Sequence, residues 1–238
     1  MNRFPSGSGA GESRRKPIIA IDGPAGAGKS TIAARLARKL DLVNLESGAM
    51  YRALALKAIR SDVSFDDEAA LLALAKNSDI RLEPTSEGNR VLLDGVDVSR
   101  RIREQDVTDA ASRVSVHPAV RSWMVARQRE MGEGGGVVME GRDIGSKVFP
   151  DADVKIFLDA HPEIRQSRRI LQGSGVTREQ AEKMAAELLE RDRRDRTRAA
   201  SPLAPAADAV IIDSSDLSVD EVVSRIERLI TEKMQMRA

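Results

Sequence analysis

Gly23-Pro24-Ala25-Gly26-Ala27-Gly28-Lys29-Ser30, followed by Thr31, fits the pattern G-x-x-x-x-G-K-[ST]. Its glycines permit backbone angles that turn successive N–H groups inward around a polyphosphate. Lys29 brings a point charge to the outer phosphates, and the Ser30 hydroxyl suits Mg²⁺. The chemistry is therefore binding of a nucleoside triphosphate with Mg²⁺, while the loop by itself leaves the acceptor open.

Two more strings carry polar chemistry after apolar runs. Glu46-Ser47-Gly48-Ala49-Met50-Tyr51-Arg52 follows one run, and Gly141-Arg142-Asp143 follows another. Ligands of a parallel α/β sheet gather at the carboxyl ends of its strands. Arg52 can face a phosphate there, and Arg142 beside Asp143 suits a phosphate next to a polar base. The densest cluster is Arg191-Asp192-Arg193-Arg194-Asp195-Arg196-Thr197-Arg198. On a helix, Arg191, Asp195 and Arg198 share one face. Arg165, Arg168 and Arg169 are further candidates on a preceding helix. Gln172-Gly173-Ser174-Gly175 between them would hinge a lid.

These residues need elements to position them. Ile18–Asp22, Leu42–Leu45, Val137–Glu140, Val154–Leu158 and Ala209–Ile212 read as short buried strands. Helical spacing runs over Thr31–Leu40, Gly48–Arg60, His161–Leu171, Arg178–Arg194 and Val219–Glu232. Apolar strands alternating with helices predict a parallel sheet covered on both faces. Asp79–Glu83, Arg90–Asp94 and Val96–Val98 break this rhythm as a small antiparallel meander, an inserted lobe over about residues 72–113. His117 and His161 each precede a proline and mark helix starts rather than catalysis.

Composition narrows the classes. The chain has 238 residues, 41% hydrophobic and 32% charged, as in a soluble globular protein. Lys and Arg total 38 against 37 acidic residues, a net charge of +1, which removes a broad electrostatic footprint for nucleic acid or a membrane. Within the bases, 29 are Arg and 9 are Lys. Arg favours bidentate anion capture, but GC-rich coding gives the same excess, so the ratio alone assigns nothing. With no Cys and no 18-residue apolar run, disulfides, thiolate chemistry and a membrane span are not expected. Residues 1–16 read as a disordered tail, and the expected setting is a cytoplasmic monomer. A guanine-reading N-K-x-D segment is missing, which disfavours GTPases. Motor and transporter ATPases end a second strand in Asp, where this chain has Glu140 leading into Gly-Arg-Asp.

IDGPAGAGKST, SGAMYRALA, EGRDIG, KIFLDA and RDRRDRTRAASPL followed by PAADAVIIDS together resemble the bacterial cytidylate kinase family of nucleoside monophosphate kinases. The likeness runs in order through nearly all of residues 17–230. It implies a P-loop NTPase-type sheet of five parallel strands flanked by helices. Residues 17–71 and 114–233 would form the core, 72–113 the monophosphate-binding lobe, and about 165–178 a short lid. The implied reaction moves the γ-phosphoryl group of ATP to CMP or dCMP. The resemblance places ATP and Mg²⁺ on residues 23–31, notably Gly26, Gly28, Lys29, Ser30 and Thr31. It places CMP on Ser47, Tyr51, Arg52, Ser112, Arg121, Arg142, Asp143, Arg191, Asp195 and Arg198. Arg52 and Arg142 would hold its phosphate. Ser112, Arg121 and Asp143 would read the base, with Asp143 accepting from the exocyclic amine. Arg191 and Asp195 would meet the ribose and its surroundings, and Arg198 the base side. Lys29, Arg142, Asp143 and Arg191 would form the catalytic set, and one of Arg168, Arg169 or Arg193 would close over the transferring phosphate. The family often has Asp where this chain has Glu46, which puts local hydrogen bonding in question. Another small-molecule kinase, such as a dephospho-coenzyme A or sugar-acid kinase, and a nucleotide- or RNA-binding module are the rival readings. The meander and the Arg run argue against the kinase rival. The phosphate loop argues against the binding module.

Overall fold

The computed structural model describes residues 16–85, 88–171 and 177–236. Most of the expected tail and the Gln172–Gly175 hinge lie outside the described residues. The first half comprises β1 (Ile18–Asp22), α1 (Lys29–Leu40), β2 (Val43–Glu46), α2 (Ser47–Arg60) and α3 (Glu68–Lys76). It continues through β3 (Ile80–Thr85), β4 (Gly88–Leu93), β5 (Val96–Asp97) and a 3₁₀ turn at Arg101–Arg103. Then come α4 (Gln105–Val114), α5 (Pro118–Gly132), β6 (Val137–Gly141) and a π-helical turn at Ile144–Val148. The remainder is β7 (Val154–Asp159), α6 (Pro162–Leu171), α7 (Arg178–Thr197), β8 (Val210–Asp213) and α8 (Val219–Gln235).

Five strands form one parallel sheet in the order β2-β6-β1-β7-β8. All residues of β1 and β6 are buried. This explains their apolar runs, Ile18–Ile21 and Val137–Met139: helices cover both faces, so neither alternate set of side chains meets water. On one face Ile19, Ile21, Val138 and Ile156 pack with Ile32 and Leu36 of α1 and Val222 and Ile226 of α8. On the other, Ile18, Ala20, Val137 and Met139 pack with Ile144, Val148 and Phe149. β1 and β6 lie side by side with Asp22 opposite Gly141, so the phosphate loop and the Gly-Arg-Asp string leave the sheet together.

The meander is present as the antiparallel sheet β3-β4-β5. It does not have a core of its own. Ile80, Val91, Leu93 and Val98 pack in one cluster with Leu54 of α2, Leu71 of α3, Val107 of α4 and Met124 of α5. The helices α3, α4 and α5 on either side of it are additions to the sequence reading. Pro118 and Pro162 do begin α5 and α6, where the missing N–H costs nothing. Thr177 with Gln180 and Ser218 with Glu221 form capping boxes that fix the starts of α7 and α8.

Candidate active site

The phosphate loop turns off the carboxyl end of β1 onto α1. At Gly23, φ is +149°, and a Cβ there would lie 1.9 Å from the Leu158 carbonyl oxygen of β7, so only glycine fits. Gly28 is the N-cap of α1 and supplies no side-chain cap, which leaves first-turn amides free for an anion. Lys29 is buried, and its Nζ donates to the Pro24 carbonyl at 2.6 Å. Burial first, and the nearby Arg142 charge second, bring its pKa down to about 7. Ser30 Oγ donates to Glu140 Oε1 at 2.5 Å. Burial, reinforced by the Glu46 charge, raises the Glu140 carboxyl above its ordinary range. A hydroxyl and a carboxylate on one spot fit a hard divalent cation that takes its other oxygens from phosphate and water.

A second group of residues lines the cleft with this loop. Ser47, the first residue of α2, donates to the Glu140 carbonyl at 2.7 Å. Gly141 permits this approach, since a Cβ there would come within 2.5 Å of the Ser47 hydroxyl. Arg52 donates to Glu46, and Arg103 of the 3₁₀ turn stands 3.9 Å from the same carboxylate. Burial acts to raise the Glu46 pKa, but Arg52 outweighs it and the carboxyl titrates below its ordinary range. The longer side chain at this position thus keeps its ion pair.

Arg121 of α5 pairs with Asp143 in a buried contact and lies 5.5 Å from the Tyr51 ring centroid. Burial pushes the Tyr51 hydroxyl up to about 12. Arg142 Nε donates to Asp195 Oδ2 at 2.9 Å, and Arg198 Nη1 reaches Asp195 Oδ1 at 3.4 Å. Burial, with Arg142 next in weight, lowers Arg191 to about 10.

Together these groups line a cleft of about 870 Å³. Of the residues predicted from sequence, Ala25 to Thr31, Ser47, Tyr51, Arg52, Ser112, Arg121, Arg142, Asp143, Arg168, Arg169, Arg191, Asp195 and Arg198 all line it. Buried atoms on four of them have no hydrogen-bond partner among the described residues: Arg52 Nε, Ser112 Oγ, Arg121 Nε and Arg198 Nη2.

Three of the expected groups stand apart from this lining. Gly23 and Pro24 shape the loop without lining the cleft. Arg193 does not line it either: it stands on an exposed face of α7, held by Glu190 at 2.8 Å, because it is turned about 200° from Arg191. Arg165 is buried behind the loop, donating to Ala25 O at 3.0 Å and Ala160 O at 2.9 Å and pairing with Asp192. Its role is to brace the loop. Arg168 lines the cleft while donating to the Ser214 carbonyl at 2.6 Å.

Sequence reasoning passed over Glu140, Arg103 and Gln105, which also line the cleft. Gln105 of α4 donates to Glu187 of α7 at 2.8 Å, joining the two sides of the cleft. Glu140 had a signal, since it ends a strand directly before Gly-Arg-Asp. Arg103 and Gln105 had none, because nothing local ties them to the loop.

A phosphate loop on a central parallel strand, opposed by buried arginines across one cleft, defines a P-loop phosphotransferase with two anionic substrates, of the nucleoside monophosphate kinase class. The family model described as cytidylate kinase matches residues 19–232. The cytidylate kinase of Geobacillus kaustophilus is 49% identical over 224 residues, covering 93% of this chain and 99% of that protein. That of Pelotomaculum thermopropionicum is 54% identical over 213 residues, covering 88% and 94%. That of Aeromonas hydrophila is 48% identical, covering 87% and 90%. The chain belongs to the cytidylate kinase family.

Proposed function

We propose that the protein transfers the γ-phosphoryl group of ATP to CMP or dCMP, giving ADP and the corresponding diphosphate. The observation that carries this reading is that Arg52, Ser112, Arg121 and Arg198, each with a buried polar atom that has no partner among the described residues, line the same cleft as the phosphate loop. Buried donors without partners cost stability unless a ligand meets them. Three are guanidinium nitrogens and one is a hydroxyl, a donor set suited to a phosphate and a polar base together.

In this reading residues 25–31 cradle the ATP phosphates, with Lys29 on the outer ones. Ser30 and Glu140 would hold Mg²⁺, which neutralises phosphate charge when bound. Arg52 and Arg142 take the CMP phosphate, and Arg191 offsets charge at the transferring group. Asp143, held by Arg121, accepts from the exocyclic amine of cytosine, and Asp195 meets the ribose. Residues 72–113 act as the acceptor-binding lobe, and about 165–178 as a lid carrying Arg168 and Arg169. Phosphoryl transfer asks the protein for in-line placement and charge neutralisation, not covalent chemistry. Like-charged substrates repel, and the arginines offset this in a site from which water is excluded. Among the described residues no helix is long and apolar enough to cross a membrane. A cytoplasmic monomer is the setting we propose.

The test is ADP release with ATP and Mg²⁺ over a panel of CMP, dCMP, UMP, AMP, dephospho-coenzyme A and a sugar acid. CMP and dCMP should turn over fastest. Absence of CMP turnover overturns the reading.

A further inference from the structure

Asp22 ends β1, one residue before the phosphate loop, and does not line the cleft. Its Oδ1 accepts the Ile144 N–H and its Oδ2 the Gly145 N–H, each at 2.8 Å. These are the first two amides of the π-helical turn, which begins directly after Asp143. At the other end of that turn Arg129 of α5 donates Nε to the Val148 carbonyl at 3.0 Å and Nη2 to the Lys147 carbonyl at 2.6 Å. An anion holds the free N–H groups and a cation holds the free carbonyls, each complementing the dipole of the turn.

This arrangement is costly. Burial drives the Asp22 carboxyl up to about 6, against the Gly145 and Ile144 hydrogen bonds, and the Asp143 charge adds to the rise. A buried carboxylate is retained although it meets no ligand in the reading above. Both of its oxygens are spent on a turn 122 and 123 residues away in sequence.

We propose that Asp22 is a positioning residue for the acceptor: acting through the turn, it sets where Arg142 and Asp143 stand relative to the phosphate loop. The proposal rests on Asp143 reading the base. Strand pairing of β1 with β6 brings the two loops near each other, and the Asp22 carboxylate fixes their separation and tilt. The donor loop and the base-reading loop thereby share one anchor.

The experiment compares Asp22→Asn, Arg129→Gln and Asp143→Ala in the full chain, measuring KM for ATP and CMP and the CMP:UMP ratio of kcat/KM. Asparagine keeps the shape of Asp22, but its amide group opposes one of the two N–H donors. Asp22→Asn should raise KM for CMP about tenfold and lower the CMP:UMP ratio by a similar factor, since misplacement by about 1 Å can cost a hundredfold. KM for ATP should stay within about twofold. Arg129→Gln, at the far end of the turn, should shift the same two quantities in the same direction by less, and it decides the matter if Asp22→Asn does not fold. A residue serving only stability would lower the unfolding temperature and leave the ratio unchanged. If Asp143→Ala lowers the ratio while Asp22→Asn and Arg129→Gln leave it and the CMP KM unchanged, the positioning role is overturned. If Asp143→Ala itself leaves the ratio unchanged, base reading by Asp143 fails and the proposal falls with it.

Discussion

Arg142 Nε donates to Asp195 Oδ2 at 2.9 Å, so the end of the central sheet and the last turns of α7 meet at the cleft. Burial acts to raise the Asp195 pKa, but Arg142, Arg191 and Arg198 outweigh it and hold the carboxylate charged. Without that charge three guanidinium groups face one another in a buried place. Asp195→Ala should therefore destabilise the fold by about 3–5 kcal/mol. Asp195→Asn should cut kcat/KM for CMP about a hundredfold, with a smaller effect on KM for ATP. Thermal unfolding and two-substrate kinetics check both. Wild-type CMP affinity in Asp195→Asn, read by calorimetry, would contradict a ribose or acceptor role.

Asp143 and Arg121 form a buried pair beside Tyr51. A site built to accept from an amine rejects the analogue that lacks one, because its acceptor is left unpaired. Asp143→Asn should lower the CMP:UMP ratio of kcat/KM by at least about tenfold. Asp143→Ala should do the same and also lose stability, since Arg121 then carries an unpaired buried charge. An unchanged ratio in both variants removes Asp143 from base recognition.

Lys29 and Arg52 should separate cleanly in kinetics. Lys29→Met removes a buried charge on the donor loop and should lower kcat by about a thousandfold. CMP binding to that variant should persist in calorimetry. Arg52→Ala should instead raise KM for CMP, with KM for ATP little changed. Loss of CMP binding in Lys29→Met would mean that the two halves of the cleft are not independent.

What was legible in the sequence was local. The phosphate loop is one continuous string between a strand and a helix, so its chemistry could be read without knowing the neighbours. The central strands β1 and β6 were legible because burial on both faces makes Ile18–Ile21 and Val137–Met139 continuous apolar runs, while the edge strands β2 and β8 are shorter and leave Val43 and Ile211 at the surface. The α5 helix was harder to read, because it buries Arg121 and Gln128 beside Val120 and Met124, and these polar residues interrupt the apolar stripe. The Ser30–Glu140 and Asp22–Gly145 contacts join residues 110 and 123 positions apart. They exist only because β1 pairs with β6, a register that no single segment specifies. Arg193 shows the opposite failure. It belongs to a convincing string, yet helical geometry turns it away from the face that Arg191, Asp195 and Arg198 share.

The Asp22 carboxyl also makes a stability prediction with a definite sign. Burial raises its pKa from 3.8 to about 6 on folding, so the folded chain holds this proton more tightly than the unfolded chain. The stability that this group contributes is fully present below pH 3.8 and is lost as the pH rises through 6. Asp22→Asn cannot titrate and lacks this dependence. The stability of the wild type minus that of Asp22→Asn should therefore fall between pH 5 and pH 7, by about 1 kcal/mol. Urea denaturation of both proteins at the two pH values measures it, and the subtraction cancels the titration of Glu140, which burial also raises. A difference that stays flat, or grows with pH, would mean that the two Asp22 hydrogen bonds hold the carboxyl ionised well below pH 5. The buried anchor of the turn would then carry no penalty at neutral pH.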